Sequence, residues 1–185
     1  MSLVLYAGVM SIYFVAGSVA RPPLLSIKLP FDDWIPFIPE SMIGYGLAYI
    51  VPLSLLWVET TESGMRRMMR AALLAYMMAA PFFLVMPVQD ADPPLIATNA
   101  LQHLLEVNRA ADHSKNAFPS MHVGLVTLLA LIGARRSRAW GWGLGLVAVG
   151  IAVSTLLVKQ HFLLDLPAGA ILAYVAYRVV YTETP

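Results

Sequence analysis

Apolar residues run along this chain in long stretches separated by short charged or proline-rich segments. A helix that spans a bilayer needs about 20 mostly apolar residues. By that measure the stretches predict six helices, over Leu3–Ala20, Met42–Val58, Ala71–Val88, Ser120–Ala134, Ala139–Val158 and Phe162–Tyr181. Ser18-Val19-Ala20 has the small residues of a signal-peptidase site, but no basic residues precede the run, which predicts a retained helix. In lipid each segment must satisfy its own backbone polar groups, so the expected fold class is an all-α integral membrane protein, a six-helix bundle.

Two connecting segments are longer than turns require. Arg21–Ser41 contains five prolines together with Trp34 and Phe37, and reads as a proline-broken stretch at the headgroup layer. Pro94–Asp112 places Leu101, Leu104, Leu105 and Val107 at roughly helical spacing, which predicts a short helix lying in the interface.

Composition strengthens this picture. Hydrophobic residues make up 59% of 185 residues and charged residues 12%. That charge could not coat a soluble domain of this size, and the apolar content excludes a disordered chain. The length predicts one domain over residues 1–185. A net charge of +1 with no basic patch leaves nucleic acid out as a partner. The absence of cysteine removes disulfides, thiolate nucleophiles and cysteine metal sites. Arg66, Arg67, Arg70, Arg135, Arg136, Arg138 and Arg178 share one face with the N-terminus, and Arg21, Lys28, Arg109, Lys115 and Lys159 take the other. The positive-inside rule then predicts cytoplasmic termini.

All four histidines fall on the opposite, extracytoplasmic face. Phe118-Pro119-Ser120-Met121-His122 opens the fourth helix, with Ser120 a natural N-cap and His122 in the first turn. A helix N-terminus attracts anions, and a histidine beside it can hand over a proton. The same residues also suit a plain capped helix with a histidine at headgroup level. Lys159-Gln160-His161-Phe162-Leu163-Leu164-Asp165 places His161 and Asp165 four apart. In a helix they share a face, and the carboxylate fixes one tautomer while freeing the other ring nitrogen. A structural ion pair at a helix start is the competing reading. The topology brings His122, His161 and Asp165 to one membrane surface.

At these residues the chain resembles the type 2 phosphatidic acid phosphatase superfamily of membrane lipid phosphatases and phosphotransferases. Pro119, Ser120 and His122 match its Pro-Ser-x-His motif, and Ser154, His161 and Asp165 match its Ser-Arg-x5-His-x3-Asp motif. Thr155 stands where that family has arginine, and its basic first motif is absent, with Asp90 and Asp92 near its place between Pro87 and Pro94. Lys159-Gln160-His161 followed by Asp165 and Gly169 looks more like the inositol phosphorylceramide synthase and sphingomyelin synthase branch. The resemblance covers about residues 80–175.

What it implies is phosphoryl transfer in two steps without metal or cofactor. His161 would be the nucleophile, Asp165 would hold its ring, and His122 would be the general acid and base. With the usual arginines missing, Lys159, Arg109, Lys115 and the N-terminal amides after Ser120 are the expected phosphate ligands. The expected substrate is a lipid phosphate or diphosphate in the bilayer, with water as acceptor. Transfer to an alcohol is the alternative. A metal-dependent hydrolase using His103, His113 and His161 lacks a ligand motif, and a transporter would place its charges mid-membrane.

Overall fold

A computed structural model describes residues 25–54, 58–112 and 116–182, together with Ser11. Apart from Ser11, the expected first span Leu3–Ala20 lies outside the described residues, as do Arg21, His113 and Lys115. The described chain is all-helical; among the described residues extended pairing is limited to isolated bridges of Val88 with Leu25 and Asn116.

Helix α1 (Met42–Ile50) follows two 3-10 turns, Pro30–Trp34 and Pro39–Ser41, which the prolines start. It begins where the second span was expected but gives way to a 3-10 turn, Val51–Ser54. Pro52 lacks the amide that a continuing α-helix would use. Helix α2 (Glu62–Val85) starts nine residues before the expected Ala71. Thr61 caps it, its Oγ1 accepting from the Gly64 amide at 3.1 Å, and Glu62 pairs with Arg66 one turn on. These polar turns carry the helix past the apolar stretch. A helix does form within Pro94–Asp112, α3 (Ala100–Asp112), begun later because the side chain of Asn99 caps the Gln102 amide at 3.0 Å. It buries Leu105 and leaves Leu104 and Val107 exposed.

Helices α4 (Met121–Arg136), α5 (Arg138–Leu157) and α6 (Asp165–Thr182) match the last three expected spans within a few residues. Ser137 alone joins α4 to α5. Its amide donates to Gly133 O at 3.0 Å and its hydroxyl accepts from the Trp140 amide at 3.2 Å, so one residue ends one helix and starts the next. Helix α4 is the centre of the bundle, packed against α2, α5 and α6. Leu128, Leu129 and Ile132 meet Met68, Ala71, Leu144, Ala173 and Tyr181 in the largest apolar cluster. Met68 is in this core, whereas Met77 is exposed to the surroundings.

Among the described residues, α2 and α5 are long and apolar enough to cross a membrane. At 16 residues α4 is shorter, and α1 has nine. Apolar side chains on the outside of α5, including Trp142, Leu146 and Val149, are exposed. They suit lipid contact, and the chain is a membrane protein.

Close helix approach depends on particular glycines. A Cβ on Gly141 would lie 2.7 Å from Ala134 Cβ, so Gly141 does allow the α4–α5 contact. A Cβ on Gly145 or Gly150 would meet no described atom within 4 Å. The tightest approach to a backbone is instead at Gly169 on α6, where a Cβ would come within 2.0 Å of Ser120 O.

Candidate active site

That approach joins the two histidine segments. The Ser120 amide donates to Asp165 O at 3.1 Å, and Ser120 Oγ accepts from the Val123 amide at 3.4 Å as the N-cap of α4. His122 therefore begins α4 directly beside the first turn of α6. His161 reaches the same point from the loop between α5 and α6.

The loop's shape starts at the end of α5. The Lys159 amide donates to Leu156 O and the Gln160 amide to Thr155 O, both at 3.1 Å, the paired bonds of a left-handed helix stop. Lys159 takes the left-handed position, at φ 62°, where glycine is usual. A side chain there costs roughly 1–2 kcal/mol. The Lys159 ammonium offsets this by donating to Asp32 O at 2.9 Å and Ile35 O at 2.6 Å in the proline-broken segment. Burial lowers its pKa from the ordinary lysine value, against the raising pull of Asp32 and Asp33. Asp32, itself buried, accepts from the Leu163 amide at 2.8 Å and so clasps the loop a second time.

Beyond this turn, His161 Nδ1 meets Asp165 Oδ2 at 3.0 Å, and the same oxygen accepts from the Phe162 amide at 2.8 Å. Asp165 is fully buried. His161 Nε2 lies 3.2 Å from His122 Nδ1, and His122 Nε2 lies 3.0 Å from Tyr45 Oη and 3.4 Å from Tyr49 Oη. Asn108 on α3 donates to Tyr49 Oη at 2.8 Å. A carboxylate only accepts, so with both rings neutral the donors run one way. His161 donates from Nδ1 to Asp165, His122 from Nδ1 to His161, and a tyrosine hydroxyl to His122. The arrangement presents a lone pair on His161 Nε2, held in place by a buried carboxylate, with a second imidazole adjacent. It can support nucleophilic attack and proton transfer at one atom's reach.

The other expected residues divide. Lys159 shares with His161 a cavity of about 150 Å³, also lined by Lys28, Asp32 and Phe162. Arg109 instead donates to Pro93 O at 2.9 Å and Val158 O at 3.2 Å, pairs with Asp92 at 3.0 Å and lies over the Phe37 ring. It acts as a strut between α3, the loop before it and the end of α5. Ser120 is fully buried as a cap, and Lys115 lies outside the described residues. Thr155 is buried with its hydroxyl turned back on Ala152 O at 2.8 Å, so it supplies no charge. Gln160 donates to Asp92 at 2.8 Å, which gives both residues structural partners. His103 is exposed on α3 beside Glu106, and among the described residues no three His, Asp or Glu side chains converge on one point.

Tyr45, Tyr49, Asn108 and Asp32 were not anticipated. Tyr45 and Tyr49 are one turn apart within an apolar stretch, and only the fold shows that this face of α1 meets His122.

Paired histidines backed by a buried carboxylate at the end of an apolar helical bundle define the class: a membrane protein with a candidate catalytic histidine pair. Over residues 41–179 the chain matches the profile of the PAP2 superfamily, and it belongs to that family. Membership carries phosphatase-type activity with it in general terms. Comparison with curated proteins and with solved structures finds no match.

Proposed function

We propose that the protein is a multi-pass membrane lipid phosphatase that removes phosphate from a lipid phosphate or diphosphate through a phosphohistidine on His161. The observation that carries this reading is the unbroken line Asp165–His161–His122, with contacts of 3.0 and 3.2 Å. In the first step the lone pair of His161 Nε2 forms the N–P bond as the P–O bond to the lipid breaks. Protonated His122 gives its proton to the departing oxygen. In the second step His122 takes a proton from water, the oxygen attacks phosphorus, the N–P bond breaks and inorganic phosphate leaves. Asp165 keeps His161 in the attacking tautomer and stabilises the positive charge on the ring.

The rings of His122 and His161 lie 3.2 Å apart at their nitrogens, so the two imidazoles part to admit the phosphoryl group. Charge on the phosphoryl oxygens is met by Lys159, which already shares a cavity with His161, and by the N-terminal amides of α4. The arginine cluster of Arg66, Arg67, Arg70, Arg135 and Arg136 orients the bundle with this site outside the cytoplasm. Transfer to an alcohol would use the same first step. Gln160, which with Lys159 suggested it, is held by Asp92, and hydrolysis is the simpler reading.

The test is trapping of the intermediate. Acid-labile phosphate on a histidine is expected in His122→Ala protein given a substrate with a good leaving group, and none in His161→Ala protein. Phosphate trapped in His161→Ala would reverse the roles. Absence of any phosphoenzyme in active wild-type protein would refute the mechanism. Alcohol acceptors added to the same assay separate hydrolysis from transfer.

A further inference from the structure

The opposite end of the bundle holds a second polar site, which the chemistry above does not use. Arg135 lies about 20 Å along α4 from His122, at 1.5 Å per residue. There an open cleft of about 330 Å³ is lined by Arg67, Arg135, Arg136, Tyr181, Glu59 and Thr61, among others. This is at the lower end of the roughly 300–1,000 Å³ that small-ligand pockets occupy.

Tyr181 is 4% exposed, and among the described residues its hydroxyl has no hydrogen-bond partner. A buried hydroxyl left unpaired is unfavourable and uncommon in folded proteins. The ring lies between two guanidinium groups, Arg135 at 5.3 Å and Arg67 at 6.0 Å from its centroid. Neither has a carboxylate within ion-pair distance among the described residues. Arg136 donates to Val58 O at 3.3 Å, which fixes its stem at the cleft wall. Glu59, the acidic residue of the lining, closes on the first turn of α2, where a Cβ on Gly64 would lie 1.8 Å from its Oε2. Three arginines against one glutamate leave the cleft positive.

We propose that this cleft binds a phosphate-bearing anion, with Arg67 and Arg135 clamping the phosphate oxygens and the Tyr181 hydroxyl donating to one of them. Guanidinium forks suit phosphate, and a positive pocket between helices at a membrane surface is where lipid headgroups collect. The same chemistry would also take free inorganic phosphate.

Full-length wild-type, Tyr181→Phe and Arg67→Gln/Arg135→Gln proteins are compared in two arms. One titrates inorganic phosphate in zwitterionic detergent. The other measures retention of spin-labelled phosphatidylglycerol in phosphatidylcholine nanodiscs. Anion binding at the histidine end is common to all three proteins and cancels in the comparison. The double variant is expected to bind at least about tenfold more weakly, and Tyr181→Phe several-fold more weakly. Among the described residues the hydroxyl has no partner, so Tyr181→Phe should melt no lower than wild type without ligand and should still lose affinity. A difference in the phosphate arm identifies free phosphate as a ligand, and one in the lipid arm alone identifies a headgroup. Equal binding by wild type and Tyr181→Phe in both arms overturns the proposal, even if the double variant does not fold.

Discussion

Replacing Gly169 with alanine tests how the two histidine segments are brought together. The new Cβ would stand 2.0 Å from Ser120 O and 2.9 Å from Ser120 C, where real contacts do not fall below 3.0 Å. The carbonyl cannot turn aside, because it accepts from the Gly124 amide at 2.9 Å and the Ser120 amide is tied to Asp165 O at 3.1 Å. The start of α4 must therefore move by roughly 1 Å, an overpacking strain of about 1–3 kcal/mol. His122 lies two residues further on and moves with it, away from the 3.2 Å contact with His161. A misplacement of this size in a reacting group lowers turnover by about 100-fold. The assay is kcat/KM against the best substrate from a panel of lipid phosphates, with the thermal midpoint measured in parallel. Gly150→Ala is the control, since its Cβ would meet no described atom within 4 Å, and it should retain activity. If Gly169→Ala stays within about twofold of wild type while folded, the proposed dependence of chemistry on this crossing is wrong.

Lys159→Met removes the donor to Asp32 O and Ile35 O but keeps the left-handed backbone, so it should lower the thermal midpoint, by about 1–3 kcal/mol of stability. Lys159→Gly relieves the backbone and should be more stable than the methionine variant; the opposite order would show that the left-handed turn carries no strain at this position. Tyr45→Phe removes the 3.0 Å partner of His122 Nε2 and should shift the pH profile of kcat/KM while leaving KM within a few-fold, whereas an unmoved profile would make Tyr45 mere filler. Glu40 has a pKa below the ordinary carboxylate value because its own backbone amide, then Gln102, then Asn99, donate to it. Its hold on α3 should be complete above the ordinary carboxylate pKa and lost as pH falls through the lowered one, and a carbon-13 titration that shows no depression would refute this.

The apolar runs made α4, α5 and α6 legible in the sequence because each run is bounded by its own cap, turn or charge. The limits of α1 and α2 were less visible. Pro52 interrupts α1 inside an apolar stretch, whereas Thr61 and the Glu62–Arg66 pair extend α2 through polar sequence that hydropathy passes over. His122, His161 and Asp165 could be chosen in advance because their spacing is local and one helix hairpin separates them. Charge alone did not distinguish Lys159 from Arg109. What separates them is which backbone carbonyls lie near, and Pro93 O and Val158 O are brought to Arg109 only by folding. Tyr45 was hidden for the same reason: its hydroxyl has meaning only opposite His122.

The single-residue link at Ser137 makes the α4–α5 hairpin a ruler. Successive helical residues are about 100° apart around the axis, at 3.6 per turn. One residue inserted at Ser137 would have to be absorbed by turning α5 relative to α4 or by breaking a cap. Turning α5 would rotate Ser154 out of its place beside Gly44 and swing the left-handed turn at Lys159 away from Asp32. A change of length at one membrane surface would thus be read as an angular error at the other, where His161 must face His122. Loop length at Ser137 is therefore expected to tolerate substitution far better than insertion or deletion.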